Sequence, residues 1–396
     1  MLSGKHILII IENLPAPLDR RVWQEATTLK EFGAKVSIIC PKMKGYNKSF
    51  ESIDDIDIYR HALPIEGTGL SGYIQEYATA LFWQMILSWR IFFKRKFHVI
   101  HACSPPDLMF LTALPFKIFG VKYVFDHHDL SPELYESKFK KKNIVYSALI
   151  LLEKLTFMVS DYTIATNNSF KNIAINRGKK LSERVSVIRS GPDLNRMKIV
   201  EGNVNYKKGK KYLIGYIGII AEQDGLDLLM HIIKKVLAKR ADFHVAILGD
   251  GTELENVKRL AYELEISNVI DFYGMVTDSQ IIIDILNTCD IGVNPDLPNE
   301  FNNLVTTNKV MEYMSLAKPV VQFDMREGKE SAKEASLYAK PFDLDDFAEK
   351  ICHLLDNDDK RKAMGDYGYK RVVNELSWEH ESKKLRNFYS KILAEK

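Results

Sequence analysis

No run of about 20 apolar residues occurs in the sequence, so no helix is expected to span a membrane. Cysteine is scarce: Cys40, Cys103, Cys289 and Cys352 lie far apart and form no CxxC pair, which reads as buried cytosolic thiols. An excess of either charge is also lacking. Fifty-five Lys and Arg against 52 Asp and Glu leave a net charge of +3, which gives nucleic-acid binding no support. There is no short-period repeat and no low-complexity tract. The first apolar run, 7–11, is too short for a signal-peptide core and meets Glu12 at once, so it reads as a buried strand. What is present is length: 396 residues exceed one ordinary core and predict two domains of about 200 residues each.

Short apolar runs alternate with amphipathic stretches. In the N-terminal half, 6–11, 35–40, 99–102 and 123–125 read as strands; 20–32 and 108–119 have helical spacing, with Gly33 ending the first helix. The C-terminal half repeats the rhythm, with strands at 212–216, 243–248, 269–272, 291–293 and 319–323 and a helix at 226–238. Strand, helix, strand at this spacing implies right-handed crossovers and parallel sheets. The polar, basic stretch 201–211 (EGNVNYKKGKK) is the best linker. The expected domains are therefore 1–200 and 201–375, with a terminal helix, 376–396, crossing back to the first. Ligands in doubly wound sheets bind beyond the carboxyl ends of the strands, here in a crevice between the halves.

The segment 302–321 (NNLVTTNKVMEYMSLAKPVV) is the most informative. A polar loop with the N-cap candidates Thr306, Thr307 and Asn308 enters an apolar-periodic helix, and a Pro-led strand follows. A helix N-terminus at a strand's carboxyl end suits a phosphate, because free N–H groups and the dipole both favour an anion. Lys309 lies in the first turn, and Glu312 follows one turn later, placed to accept from a pair of sugar hydroxyls. The plain alternative is an amphipathic helix with a solvated Lys and Glu.

Here the chain resembles a known family. EYMSLAKPVV at 312–321 looks like the donor-site signature of retaining glycosyltransferase family 4, which has the GT-B fold. In the family's order, PLDRRVWQE (17–25), FDHHD (125–129), VIRSGPDL (187–194), IGYIG with QDG (214–225) and LGDGTE (248–253) agree with it. The resemblance implies an α/β fold of two Rossmann-like doubly wound domains facing a cleft, the first for the acceptor and the second for a nucleotide-sugar donor. It implies that Glu312 holds the donor ribose; Gly218, Arg189, Asn303, Thr306, Asn308 and Lys309 are the further donor-site candidates. The family's first acidic position is Leu304 here, and Ile219 and Asp224 stand where its loop Arg and Lys would be. Buried phosphate charge needs cationic or dipolar partners, so Lys309, Arg189 and the helix start after Asn303 are expected to supply them.

His127 and His128 follow a strand, flanked by Asp126 and Asp129, and adjacent side chains there point to different sides. By resemblance His128, directly before Asp129, is the active-site histidine that contacts the donor sugar; a structural pair capping the strand end is the alternative. The leaving phosphate then serves as base, and no protein nucleophile is expected.

The first strand–helix turn has no glycine. Arg20 and Arg21 are candidates for an anionic acceptor such as a polyprenyl diphosphate, or form a solvated helix start capped by Asp19. No metal or other cofactor is expected: Asp343-Leu344-Asp345 has a DxD form, but a helix N-cap explains it better. Two stretches, 81–97 and 137–159, mix aromatic or apolar residues with Lys and Arg and suit an anionic membrane surface, or a core helix with a solvated end. The expectation is a cytoplasmic, peripherally bound enzyme that transfers a UDP-linked sugar to a glycan or lipid-linked acceptor of a bacterial surface polysaccharide. The rivals are a nucleotide-sugar 2-epimerase and a non-catalytic two-lobed binding protein.

Overall fold

The computed structural model describes residues 2–63 and 69–395. It divides into two compact units, Met1–Ser190 with Glu381–Lys396, and Gly191–His380. The division thus falls at Ser190/Gly191 and not at the expected linker, because 201–211 is folded into the second unit: Gly202 packs on Thr288, and Lys207 pairs with Asp290 at 2.9 Å.

The first unit holds an eight-stranded sheet in the order β3-β4-β2-β1-β5-β6-β7-β8. Its strands are β1 (His6–Ile10), β2 (Lys35–Pro41), β3 (Phe50–Ile53), β4 (Ile56–His61), β5 (Val99–Cys103), β6 (Lys122–His127), β7 (Tyr162–Ala165) and β8 (Val185–Val187). All neighbours are parallel except β3 and β4. Their hairpin turns at Asp54 and Asp55, both at positive φ (49° and 60°), as a two-residue turn requires. β1 and β5 are buried at every position, which is why HILII and VIHAC read as apolar runs in place of alternation. The sheet reverses direction between β1 and β5.

The second unit holds a six-stranded parallel sheet in the order β11-β10-β9-β12-β13-β14. The strands are β9 (Tyr212–Ile217), β10 (Phe243–Leu248), β11 (Ile270–Gly274), β12 (Ile291–Asn294), β13 (Val320–Phe323) and β14 (Ser336–Ala339). Here the reversal lies between β9 and β12, which pair only at Ile214–Ile291 and Gly215–Gly292 before diverging. The Tyr313 hydroxyl fills the gap. It accepts from the Ile217 N–H at 3.0 Å and lies 3.1 Å from the Gly215 carbonyl and 3.3 Å from that of Val293.

Buried acids mark the carboxyl side of the first sheet. Asp107, in the loop after β5, is 4% exposed. Burial first, and the neighbouring Glu153 carboxylate second, push it from 3.8 up to about 8. An acid raised in the folded state stabilises the fold only while protonated. That contribution is complete below its unfolded value and is lost as pH rises to about 8. Asp107→Asn should therefore gain melting temperature over the wild type as pH rises from 5 to 8, by roughly 5 °C at the upper end. A constant gap in thermal unfolding across that range would contradict the assignment.

Candidate active site

In the first unit the candidate residues gather at the carboxyl ends of β5 and β6. The helix Arg20–Glu31 starts with Asp19 as N-cap, its carboxylate accepting the Val22 N–H at 2.9 Å. Arg20 is exposed at this start, whereas Arg21 points inward and is 8% exposed. The Arg21 guanidinium donates to Asp126 Oδ1 at 3.0 Å, to the Ile188 carbonyl at 3.0 Å and to Ser190 Oγ at 3.2 Å, and pairs with Glu25 at 3.1 Å. The two arginines do not form one anion site, because Arg21 is spent on this buried network. His128 Nε2 lies 2.6 Å from Asp126 Oδ2, and its backbone N–H donates to Ser104 Oγ at 3.0 Å.

His101, in the middle of β5, completes the cluster: Nε2 lies 3.1 Å from Asp126 Oδ2, and Nδ1 lies 2.7 Å from the hydroxyl of Tyr389 on the helix Trp378–Ala394. Burial holds His101 below the usual imidazole range, so it is neutral near pH 7. Burial, then Asp126, raises Glu25 well above the carboxylate range. Burial alone would raise Asp126 too, but Arg21, His128 and His101 together hold it well below that range. Arg21 and Asp126 are thus the buried ion pair at the centre of the cluster.

His127 faces away, packed against the rings of Phe125, Phe157 and Phe170 and lowered to about 3 by burial. Asp129 is half-buried, and its desolvation raises it. Glu12, just beyond β1, is raised to about 7, first by burial and then by Glu76. The Arg189 N–H donates to Glu381 Oε2 at 2.9 Å. Glu25, His101, Cys103 and Asp126 form one group of metal-ligand type among the described residues. Arg21 already lies 3.0 and 3.1 Å from two of its carboxylates, where a cation would compete with it.

In the second unit the sites gather where β9 and β12 part. Gly218 follows β9 at φ 155°, and a Cβ there would sit 3.0 Å from Lys309 Cε and from the Tyr216 hydroxyl, so only glycine fits without displacement. The helix Asn308–Ser315 begins at Thr307. The expected side-chain cap is not made: Thr307 Oγ1 reaches Asp296 Oδ2 at 3.2 Å instead. Lys309 is 6% exposed, 2.6 Å from Asp296 Oδ1 and 3.6 Å from Asp224 Oδ1, with its ammonium 5.1 Å from the Tyr216 ring centre. Burial would lower its pKa, but the two aspartates prevail and raise it. Asp224, where a family lysine would stand, is thus part of what holds Lys309. With its nitrogen toward Asp296, the Asn294 amide donates to both carboxylate oxygens at 2.9 and 3.0 Å.

Glu312 is half-buried one turn on, and Asn308 is exposed at the helix start. Thr306 Oγ1 contacts Glu327 at 3.4 Å, and the Asn303 side chain accepts the Arg326 N–H at 2.7 Å. Thr306, Lys309 and Asn303 therefore all have protein partners. Asp343 caps the helix Leu344–Leu355 by accepting the Asp346 N–H at 2.9 Å, which accounts for the DxD segment.

The sequence reading missed Glu25, His101 and Asp296, and named Asp126 only as a residue flanking the histidines. A polar residue inside an otherwise apolar strand (VIHAC, KYVFDH) was the available signal for two of them.

The exposed faces of three helices in the first unit carry the aromatic and basic stretches. Trp89 is packed on Phe116, with ring centres 4.5 Å apart, and Phe92 is buried, whereas Phe82, Phe93, Ile118, Ile144 and Met158 are exposed. Lys94, Arg95, Lys96 and Lys138, Lys140, Lys141 and Lys142 are exposed as well. Among the described residues no helix is long and apolar enough to cross a membrane.

Two doubly wound parallel sheets define the glycosyltransferase fold known as GT-B. Residues 18–196 match the family described as Glycosyltransferase Family 4, and residues 211–357 match Glycosyl transferases group 1. The chain belongs to glycosyltransferase family 4. It is 22% identical over 265 residues to the capsular polysaccharide biosynthesis glycosyltransferase CapM of Staphylococcus aureus, covering 64% of this chain and 68% of that one. The matched stretches cover 62% and 68% of the lengths of the first two curated relatives. In structure it is similar to sucrose-phosphate synthase from Thermosynechococcus elongatus (TM-score 0.82, 15% identity, 99% and 100% of the two chains). It is also similar to Anabaena HepE in complex with UDP and glucose (TM-score 0.71, 14% identity, 98% and 100%).

Lys309 to methionine removes the charge that balances Asp296 and leaves a buried carboxylate unpaired, at a cost of about 3–5 kcal/mol. The variant should melt roughly 10 °C below the wild type, and adding Asp296→Asn should restore part of the loss. A single variant melting within a degree of the wild type would show that the ion pair holds nothing in place.

Proposed function

We propose that this glycosyltransferase retains anomeric configuration and moves a sugar from a nucleotide sugar, first of all a UDP-sugar, to a glycan or lipid-linked acceptor of a bacterial surface polysaccharide. The observation that carries the reading is the switch point of the second sheet. A helix start, a side-chain-free approach at Gly218 and a buried lysine meet there, at the carboxyl end of β9. In this reading the helix N–H groups after Thr307 and the Lys309 ammonium face the donor's diphosphate, and Glu312 accepts from the ribose hydroxyls. Asn303, Thr306 and Asn308 line the polar approach, and Arg189 adds charge.

In the first unit, His128 meets the transferred sugar, with Asp129 beside it. The leaving phosphate takes the acceptor's proton, and the protein supplies orientation and charge without a covalent intermediate. The reading invokes no metal: the free N–H groups of the helix start are what face the diphosphate, with Lys309 beside them. CapM's part in capsule synthesis and the UDP bound to HepE favour this donor and acceptor class. Asp19 and Arg20 are the acceptor-side candidates. The exposed aromatic and basic residues of the first unit suit peripheral attachment to an anionic bilayer on the cytoplasmic face, where a polyprenyl-diphosphate acceptor would be presented.

A panel of UDP-, GDP- and dTDP-sugars, read by thermal shift and by transfer or hydrolysis, tests the donor assignment. One nucleotide class should raise the melting temperature, and His128→Ala should lower turnover about 100-fold or more with donor affinity within about twofold. Full turnover by His128→Ala would remove its role, and epimer formation without transfer would replace the reaction. Co-sedimentation with anionic liposomes should be strong at low salt and fall as salt is raised; no binding at low salt would remove the membrane assignment.

A further inference from the structure

We propose that Asp224 carries a proton in the donor complex, so that a nucleotide sugar binds with uptake of a proton and a carboxylic acid stands where the family's loop lysine would. The inference rests on the reading of this switch point as the diphosphate site. Lys309 is buried and shared between two carboxylates, Asp296 Oδ1 at 2.6 Å and Asp224 Oδ1 at 3.6 Å. The trio thus holds a negative charge in excess before any ligand arrives. The loops after β9 and β10, 218–225 and 249–253, contain no Lys or Arg to offset it; they add Glu222, Asp250 and Glu253, and Asp227 follows at the start of the next helix. From β9 the Tyr216 ring faces Lys309, and its hydroxyl donates to the Ile219 carbonyl at 2.7 Å. A diphosphate brings more negative charge to this place, and partly buried charge must be met or shed.

Of the two carboxylates, Asp224 is the one that can shed its charge. Asp296 accepts from the Lys309 ammonium, from Thr307 Oγ1 at 3.2 Å and from the Asn294 amide at 2.9 and 3.0 Å, and a proton would displace one of these donors. Asp224 Oδ2 accepts the Ala221 N–H at 3.1 Å, a bond that survives protonation of Oδ1. Asp224 is 16% exposed. Burial lifts its carboxyl to about 6 against the pull of Lys309, and Asp296 adds to the rise. A phosphate beside it lifts it further. Once protonated, Asp224 leaves Lys309 to one carboxylate and the ligand, and its O–H can donate to a phosphate oxygen as a lysine N–H would. The sign follows from linkage: a group that holds its proton more tightly in the complex makes affinity rise as pH falls. The diphosphate of a nucleotide sugar is a diester and, unlike a phosphate monoester, takes up no proton of its own near neutral pH.

Calorimetry of the full-length chain with UDP-glucose, GDP-mannose and dTDP-glucose tests this. Titrations in HEPES and in Tris count the protons, because the two buffers differ in ionisation heat. The nucleotide sugar that binds should take up about one proton at pH 7.5, and its Kd should rise roughly tenfold between pH 6.5 and 7.5. Asp224→Asn keeps an acceptor for the Ala221 N–H. It should abolish the uptake, flatten the pH dependence and bind roughly tenfold more tightly than the wild type at pH 7.5. If that variant does not fold, the proton count of the wild type carries the test. Donor binding without proton uptake, with or without Mg2+, would overturn the inference, as would uptake that persists in Asp224→Asn. If none of the three nucleotide sugars binds, the donor-site reading itself fails and the inference falls with it.

Discussion

The buried ion pair of Arg21 and Asp126 is the constraint on which the first unit depends. A guanidinium and a carboxylate taken out of water cost several kcal/mol each, and only close geometry and further hydrogen bonds recover it. Here the recovery comes from four separate elements: the helix Arg20–Glu31, β5, β6 and the C-terminal helix. Because burial raises Glu25 well above the carboxylate range, Asp126 is the carboxylate that answers the Arg21 guanidinium. Such a network is intolerant of small shifts, which is the property a site needs if a histidine is to be held in one orientation.

The second unit solves a similar problem with a different pair. Lys309 and Asp296 join the start of the helix Asn308–Ser315 to the end of β12, and Tyr313 satisfies backbone groups where β9 and β12 diverge. A sheet that reverses direction must leave such groups unpaired, and the same opening is where a ligand can approach the backbone. The polar residues that close the gap and those proposed to bind the donor are therefore neighbours by necessity. Lys309 serves the first role in the structure, and a diphosphate would meet a cation already balanced by two aspartates.

Much of the fold was legible in the sequence, because strands buried on both faces read as unbroken apolar runs; His6–Ile10 and Phe243–Leu248 are examples. The strands β7, β8 and β14 were not, since three or four residues with Ser, Thr or Tyr among them carry little periodic signal. The hairpin of β3 and β4 depends on two aspartates at positive φ, a turn chemistry that was present but unread. His128 was singled out through its place after a strand and through the family resemblance. Of the residues around it, Asp126 was named as its neighbour, whereas His101 and Tyr389 were not, because they meet across 288 residues of chain. Arg21 was grouped with Arg20 for a related reason: spacing puts the two side by side, but only packing decides that one faces solvent and the other Asp126.

The division of the chain has a consequence for how the molecule is made. The second unit, Gly191–His380, is written into the sequence inside the first, whose last segment is Glu381–Lys396. A ribosome releases those residues only after the whole of the second unit. Until they emerge, His101 has no Tyr389 hydroxyl as its hydrogen-bond partner, although every other member of the cluster has long been synthesised. The second unit can finish folding on the growing chain, while the first must wait with its polar core open, so the two halves of the enzyme mature in the reverse of the order in which they begin.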